Sequence, residues 1–409
     1  MVKYDLLNMD IEDIKLLMLE QLPIKTHEKN VFGEVFTPLE LVEVMLDTLP
    51  KRVWSNPDLK WLEPCAGVGH FAICVYLRLM TGLEHVYRDR VKRHNHILKS
   101  MLYMNELNAT NVASIKRLFG AGVNVVSGDI FDYKCDDKCF DIIVGNPPFQ
   151  DEHLLGGKSK LYERITGFCI DNLLKQDGLL LFLVPDNMFS GNSVVGYKKL
   201  LENNVKLVSF EDNINLFFPK IQQYICYFLL KRSSPSTTTI ISQKGQKFET
   251  KLLDRVVNPV RNWTKRIDTL IKKYIGSEKN NAVYVRGKPI SEYKGSKYKV
   301  IYTPDKKLGT NNSSLAAGIG IPKIVIFGIS PDLKFETDFK GLYGAGPNTF
   351  YIPVSNMRQG RLLEKFLKSD DYKTLALATK TTRQFLKISF IQYLRFDKIF
   401  NQNNKTRKL

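Results

Sequence analysis

Asn146, Pro147, Pro148 and Phe149 form a tetrapeptide suited to chemistry on a planar amino group. Each proline lacks a backbone N–H and holds φ near one value, so the segment offers carbonyl acceptors in a stiff frame. The Asn146 side-chain oxygen beside the Pro147 carbonyl gives two acceptors for one –NH2 group, which would free the lone pair of its nitrogen. Phe149 adds a flat face on which a heteroaromatic ring can stack. A proline-rich turn with an Asn cap is the structural alternative.

The element before the tetrapeptide predicts where it lies. Residues 141–145 (DIIVG) form an apolar run whose length and branching indicate a buried parallel strand. Open α/β sheets bind their ligands at the carboxyl ends of such strands. We therefore expect the tetrapeptide to line a binding site.

A second loop upstream has the composition of a ligand-binding turn. A short apolar strand at Trp61 runs into small residues and then into a helix over 71–79. Small residues allow the backbone to approach a ligand closely. The carboxylate of Glu63 would repel a pyrophosphate but suits a cationic amino-acid head group, which favours S-adenosylmethionine over a dinucleotide. The residues concerned are Glu63, Pro64, Cys65, Ala66, Gly67 and Gly69.

Other strand ends and one helix start carry further candidate ligand groups. Glu106 follows the strand 102–105, where an acidic residue would take ribose hydroxyls, and Asp129 could accept from an adenine amine while Ile130 packs on the ring. Thr37 before Pro38 predicts a helix N-cap, and such a helix terminus can bind a carboxylate. Strands that alternate with helices predict a parallel sheet.

Taken in chain order, these motifs resemble the S-adenosylmethionine-dependent N6-adenine DNA methyltransferases of the gamma class, in which a target-recognition domain follows the catalytic domain. The resemblance covers roughly residues 30 to 230. It rests on Phe36-Thr37-Pro38, on the stretch from Glu63 to Gly69, on Asn105-Glu106, on Gly128-Asp129 and on Asn146-Pro147-Pro148-Phe149.

The resemblance implies a role for each motif. Thr37 would contact the methionine carboxylate of the cofactor, Glu63 and the Gly67-to-Gly69 loop would surround the methionine moiety, and Glu106 would hold the ribose. Asp129 would meet the cofactor adenine. Asn146 and the Pro147 carbonyl would take the target amine, and Phe149 would stack on the target base. Phe218 resembles the position of a second aromatic against the extruded base, although a core role fits that residue equally well.

The distribution of charge in the sequence indicates what kind of partner the chain binds. The chain has 409 residues and a net charge of +18, and all of the excess belongs to the second half: residues 233–409 carry 33 Lys and Arg against 13 Asp and Glu. A basic module joined to a near-neutral one suggests that the second half meets a polyanion, here double-stranded DNA, while the first performs chemistry. A solvated Lys-rich surface is the alternative.

Compartment and metal content follow from what the sequence lacks. No stretch approaches the length of a membrane span, so we expect a soluble intracellular protein, in the cytoplasm or, in a eukaryotic host or virus, the nucleus. The six cysteines show no zinc spacing and are expected to be reduced, with no metal site. A monomer is slightly favoured.

The predicted fold is a Rossmann-like class I methyltransferase sheet, followed by a basic α+β target-recognition domain. The predicted boundaries are 1–29 for an N-terminal helix and connector, 30–232 for the catalytic domain, 233–240 for a linker and 241–409 for the recognition domain. The predicted reaction is methylation of N6 of a flipped adenine in DNA. RNA adenine N6-methylation, protein glutamine N5-methylation and DNA cytosine N4-methylation use the same acceptors and stay open. A non-catalytic DNA-binding module and a fused endonuclease are disfavoured.

Overall fold

The computed structural model describes residues 6–9, 13–14, 16–17, 37–135, 137–149, 160–189, 196–210, 212–218, 224–235, 238–252, 263–286, 288–304, 306–327, 333–379 and 388–400. The chain divides into two compact units. The first contains residues 1–188, 193–219 and 225–253, and the second contains 254–409 with two short segments, 189–192 and 220–224. Most of the predicted N-terminal helix, residues 10–22, lies outside the described residues.

A nine-stranded sheet forms the centre of the first unit. Its strands are β1 Trp61–Glu63, β2 Leu102–Glu106, β3 Asn124–Ser127, β4 Phe140–Gly145, β5 Leu174–Pro185, β6 Asn204–Ser209, β7 Ile225–Lys231, β8 Thr239–Gln243 and β9 Gln246–Thr250. Their order across the sheet is β3-β2-β1-β4-β5-β7-β6-β8-β9. Strands β1 to β5 pair in parallel, whereas β7 is antiparallel to both neighbours. Strands β2 and β3 are added on one side of β1, and β4 and β5 on the other, so the strand order reverses between β1 and β4. Open α/β sheets bind ligands at such a position.

Helices connect these strands as the apolar spacing predicted. They are α1 Leu39–Leu46, α2 His70–Gly82, α3 Arg90–His96, α4 Ala109–Phe119, α5 Leu161–Phe168 and α6 Gly196–Leu201. In α4, Val112, Ile115 and Phe119 are buried, and Asn108 caps the helix by accepting from the Thr110 N–H. Among the described helices, none is long and apolar enough to cross a membrane.

The predicted boundary between the domains is wrong. Strand β8 pairs in parallel with β6, with Ile240 opposite Leu207, and β9 pairs with β8 as an antiparallel hairpin. The catalytic sheet therefore continues through residues that were assigned to a linker and to the second domain, and the first unit extends to Leu253. The Ser- and Thr-rich composition indicated a linker, but the β-branched residues at 239–241 supply the ladder of an added strand.

Cys135 and Cys139 depart from the prediction of reduced thiols, because the structure joins them by a disulfide. The loop before β4 brings their Cα atoms to 6.4 Å, within the span of such a bond. Of the other cysteines, Cys65 is half-buried, and Cys74, Cys169 and Cys226 are buried.

The second unit is α+β, as predicted. Its helices are α7 Lys265–Tyr274, α8 Met357–Leu367, α9 Asp370–Ala378 and α10 Phe396–Phe400, and its strands are β10 Val283–Val285, β11 Tyr298–Thr303, β12 Lys306–Thr310, β13 Lys323–Phe327, β14 Phe335–Asp338, β15 Gly344–Ala345 and β16 Thr349–Pro353. The strands form a four-stranded sheet, β10-β16-β13-β14, and a three-stranded sheet, β12-β11-β15. Side chains of α7, α8 and α9 pack with those of β13 and β16 in one apolar core.

A buried ion pair joins β13 to β14. The Lys323 Nζ lies 2.8 Å from Asp338 Oδ2, and the two side chains are 0% and 2% exposed. The ammonium also donates to the carbonyls of Ile321 and Tyr343, and the carboxylate accepts from the backbone N–H groups of Leu342 and Tyr343. These extra bonds offset the desolvation that burial of two charges costs.

Removal of one partner of this pair should destabilise the second unit strongly. In Asp338→Asn the Lys323 ammonium would stay buried without its counter-charge, and we expect a loss of about 3–5 kcal/mol in the free energy of unfolding. Denaturant unfolding followed by the fluorescence of Trp263, which is buried in this unit, measures the change. The matched control is Glu364→Gln, which breaks the exposed pair with Lys368 and should cost at most about 1 kcal/mol. Equal losses in both variants would contradict the argument.

Candidate functional site

The candidate site lies at the carboxyl ends of β1 and β4, which are neighbours in the sheet. Gly145 ends β4 beside the loop that follows β1: a Cβ added to Gly145 would lie 3.5 Å from Pro64 Cδ. The sheet therefore brings the glycine loop and the Asn146-Pro147-Pro148-Phe149 tetrapeptide together, as the sequence predicted.

A hydrogen bond to Thr37 orients the Asn146 side chain. The Asn146 Nδ2 donates to Thr37 Oγ1 at 3.1 Å. Because the amide nitrogen is the donor in this bond, Oδ1 is the acceptor atom that the side chain presents. Thr37 is itself buried, and its carbonyl lies 2.7 Å from His70 Nδ1.

The prediction that Thr37 caps α1 is wrong. The N-cap of this helix is Pro38, and no side chain caps it. The Thr37 hydroxyl instead accepts from Asn146, a residue 109 positions away. The Thr-Pro pattern predicted the helix start correctly, but only the fold shows which group the hydroxyl serves.

Phe149 packs edge-on against Tyr162, the second residue of α5. The ring centroids are 6.2 Å apart at an interplanar angle of 77°, and Phe149 is half-buried. Tyr162 is fixed in turn, because its hydroxyl donates to Asn187 Oδ1 and lies 3.3 Å from Glu163 Oε1. This T-shaped arrangement is one that aromatic pairs prefer, and it orients the Phe149 ring relative to Tyr162.

Glu63 ends β1 and holds the start of α2. Its Oε2 accepts from the backbone N–H of Ala72 at 2.8 Å, so the carboxylate binds the positive end of the helix. The residue is 3% exposed. Burial raises the pKa of Glu63 well above its usual value against the lowering effect of the backbone N–H groups of Ala72 and Phe71. A cation at this site would favour the ionised carboxylate.

Glu106 holds the glycine loop from the neighbouring strand. Its Oε2 accepts from the Gly67 N–H at 2.7 Å, and its Oε1 accepts from the Asn108 N–H at 2.8 Å. Gly67 and Gly69 have φ values of 55° and 91°, in the region that favours glycine. The loop is closed by a hydrogen bond in which the Ala66 carbonyl accepts from the Gly69 N–H. The predicted loop residues are thus assembled around one carboxylate.

Asn105 is a positioning residue whose contacts the sequence did not predict. Its Nδ2 donates to the Pro64 carbonyl at 3.3 Å and to the Gly128 carbonyl at 3.1 Å, and its own carbonyl accepts from the Ala66 N–H. The residue therefore ties the loops after β1 and β3 to the end of β2. The sequence signal that could have identified Asn105 was its position directly before Glu106, at the end of β2.

Asp129 and Ile130 begin a short 3-10 turn after β3. Asp129 Oδ1 accepts from the Phe131 N–H at 3.0 Å, and its side chain is exposed, whereas Ile130 is buried. Phe218 is 4% exposed, and its neighbour Phe217, at the end of the turn Asp212–Phe217, is 38% exposed. The predicted roles of these residues toward a ligand stay predictions.

Comparisons with known proteins agree with this reading of the motifs. Residues 72–217 match the family described as Eco57I restriction-modification methylase. An uncharacterized adenine-specific methylase of Mycoplasma pneumoniae is 42% identical over 87 residues, which cover 20% of this chain and 21% of that protein. The modification methylase CviBIII of Paramecium bursaria Chlorella virus NC1A is 26% identical over 219 residues, covering 51% of this chain and 52% of that protein. The chain thus spans about a fifth and about half of the length of these two relatives.

One solved structure is similar over almost the whole chain. A nuclease-deletion mutant of the Type ISP restriction-modification enzyme LlaGI, in complex with a DNA substrate mimic, has a TM-score of 0.59 and 13% identity, and the match covers 92% of this chain and 55% of that chain. At this identity the likeness concerns the fold alone. The likeness agrees with the predicted sheet architecture, and the segment that contains β2, β3 and β4 matches a restriction-modification methylase family, as the motifs predicted.

The raised pKa of Glu63 predicts how stability depends on pH. The folded state holds the carboxyl proton more tightly than the unfolded chain does, so the contribution of Glu63 to stability is fully present below the ordinary value of 4.5 and is lost as pH rises through the raised pKa. As pH rises above 4.5, the melting temperature of the ligand-free protein should fall relative to that of Glu63→Gln. Exposed Glu84→Gln controls for removal of one carboxyl from the same unit. A constant difference between wild type and Glu63→Gln across this range would contradict the assignment.

Proposed function

We propose that this chain, whose residues 72–217 match the restriction-modification methylase family, transfers a methyl group from S-adenosylmethionine to N6 of an adenine flipped out of duplex DNA. The observation that carries the proposal is Asn146-Pro147-Pro148-Phe149 at the end of β4, with the Asn146 amide oriented by Thr37. In that orientation Oδ1 is the acceptor atom of the Asn146 amide, and the carbonyl of the next residue, Pro147, would be the second of the two acceptors that an exocyclic amine needs.

The strand ends fit the cofactor. Glu63 is a buried carboxylate whose pKa burial raises, so the ammonium of the methionine moiety would restore its ionised form. Glu106 would accept from ribose hydroxyls with the remaining lone pairs of its two oxygens, and the exposed carboxylate of Asp129 would accept from the adenine amine. Gly67, with no side chain and a positive φ, allows close approach of the backbone to the ligand.

The residues of the tetrapeptide would bind and orient the target base. Asn146 Oδ1 and the Pro147 carbonyl would hold both amine hydrogens and direct the nitrogen lone pair along the line of transfer. Phe149 would stack on the adenine and offset part of the few kcal/mol that unstacking the base costs. When bound, S-adenosylmethionine supplies the methyl group on a sulfonium that is already an activated leaving group. The amine nitrogen gains the methyl group and releases one proton.

Covalent catalysis on cytosine C5 is a poorer fit to this site. That reaction needs a thiolate nucleophile, and Cys65, directly after Pro64, is the cysteine closest in sequence to the site residues. Burial raises the pKa of the Cys65 thiol well above its usual value, and the charges of Cys169, Glu106 and Glu63 raise it further. A thiol held neutral in this way is not activated for attack.

The second unit would supply most of the DNA contacts. With the boundary placed at 253/254, residues 254–409 contain 30 Lys and Arg against 12 Asp and Glu, which accounts for the whole net charge of +18. The second unit also contains Lys220, so its net charge is +19 and that of the first unit is −1. This distribution supports phosphate binding by the second unit and a more salt-sensitive affinity for DNA than for small ligands.

Methyl transfer from labelled S-adenosylmethionine tests the proposal. The purified chain is given unmethylated genomic DNA, total RNA and a protein extract in separate reactions, followed by nucleoside and amino-acid analysis. We expect N6-methyladenine in DNA. Label only in RNA, only in protein glutamine, or only at cytosine N4 would each replace the proposal by the corresponding alternative.

Asn146→Ala should lower the rate of methyl transfer by about 10²–10³-fold, because one of the two preorganised acceptors is lost. The rate is measured in single-turnover reactions on DNA, and circular dichroism checks that the variant is folded. The matched control is Asn95→Ala on α3, an exposed Asn that lies outside the site and should leave the rate unchanged. A variant Asn146→Ala with the wild-type rate would show that the tetrapeptide is a structural turn.

A further inference from the structure

Two loops of the second unit form a rigid surface that the catalytic argument does not use. We call residues 317–322 and 339–343 the glycine platform. The Gly320 N–H donates to the Gly341 carbonyl at 2.8 Å, and Gly318, Gly320 and Gly341 have φ values of 71°, 79° and 69°. A Cβ added to Gly341 would lie 2.7 Å from the Gly320 carbonyl carbon. The two loops therefore meet backbone to backbone in a geometry that only glycine allows.

The buried Lys323–Asp338 pair fixes the platform from below. Lys323 Nζ donates to the Ile321 carbonyl at 3.1 Å and to the Tyr343 carbonyl at 2.5 Å. Asp338 accepts from the N–H groups of Leu342 and Tyr343, each at 2.9 Å. Because both loops are bonded to the same ion pair, little conformational freedom is left to lose when a partner binds.

The platform presents two aliphatic side chains to solvent. Ile321 follows Gly320 and is 39% exposed, and Leu342 follows Gly341 and is 58% exposed. A rigid backbone that holds exposed aliphatic side chains is the arrangement expected of a contact surface.

A basic segment is joined to the platform. Residues 286–310 contain seven Lys or Arg, all exposed, against Glu292 and Asp305. Strand β11 in this segment pairs with β15, which follows the platform directly: Val300 lies opposite Gly344. Lys307 Nζ also lies 4.6 Å from the centroid of the Tyr343 ring. Lys307 also pairs with Glu336 at 3.0 Å. The platform is thus joined, through β15 and the Tyr343 ring, to a segment whose net charge is complementary to phosphates.

We infer that the glycine platform reads sequence in duplex DNA, with Leu342 and Ile321 in apolar contact with a thymine methyl group in the major groove and with the basic segment 286–310 on the flanking phosphates. The inference rests on the proposed action on DNA. Apolar side chains recognise the thymine C5-methyl group, which no other base pair displays, whereas lysines on phosphates position the protein without reading sequence.

Selection from a pool of random-sequence duplexes tests the inference by binding alone, independently of methyl transfer. The wild-type chain should enrich a motif. Leu342→Ala should enrich the same motif with about tenfold weaker discrimination at one T·A pair. Leu377→Ala, which removes an aliphatic side chain of 38% exposure from α9 in the same unit, is the matched control and should keep the wild-type motif.

Replacement of the thymine at that pair by deoxyuridine, which lacks the methyl group, sharpens the test. It should weaken binding by the wild type and leave binding by Leu342→Ala unchanged. Lys299→Ala with Lys306→Ala should weaken binding to all sequences alike and reduce the salt slope by about 2.

Three results would overturn the inference: wild-type discrimination at every position of the motif in Leu342→Ala, a uniform loss of affinity in that variant, or a thymine-to-uracil effect of equal size in both proteins. A wild type that enriches a motif but methylates no DNA would refute the proposed reaction and leave the reading surface intact.

Discussion

The site depends on a polar network at the carboxyl end of β2. Glu106 binds the backbone of the glycine loop, and the Asn105 amide binds the loops after β1 and β3. Parallel pairing brings the strand ends to one edge of the sheet, but it does not determine the path of the loops beyond them. Two adjacent side chains on one strand supply that constraint. The loops are therefore organised before any ligand arrives, and binding need not order them.

The acidic groups of the first unit serve both the fold and the proposed chemistry. Glu63 binds the amino end of α2 and stays buried, so its charge is disfavoured until a cation is near. Glu106 has both oxygens engaged by backbone N–H groups, which orients its remaining lone pairs. Asn146 likewise uses its nitrogen on Thr37 and so presents its oxygen. In each case a structural hydrogen bond selects which atom faces the site, and this is the preorganisation on which electrostatic catalysis depends.

The two units differ in net charge, and the second also has a rigid loop surface. The first carries a net charge of −1 and covers its central sheet with helices, whereas the second carries +19. Long-range attraction to a polyanion and local shape are separate requirements for recognition. Exposed lysines of 286–310 meet the first requirement, and the glycine platform on the buried Lys323–Asp338 pair meets the second.

Local sequence determined the elements and the order of the motifs. Apolar runs predicted β1 and β4, alternation with helices predicted a parallel sheet, and the order of the strand-end motifs predicted a methylase that the family match supports. Such signals are readable because side-chain periodicity and backbone preferences act between near neighbours. Tertiary structure alone decided that Thr37 bonds Asn146 instead of capping a helix, that Asn105 joins three strand ends, and that residues 239–250 extend the sheet. Each of these depends on a hydrogen bond or a strand pairing between residues far apart in the chain, and for that geometry the sequence carries no local signal.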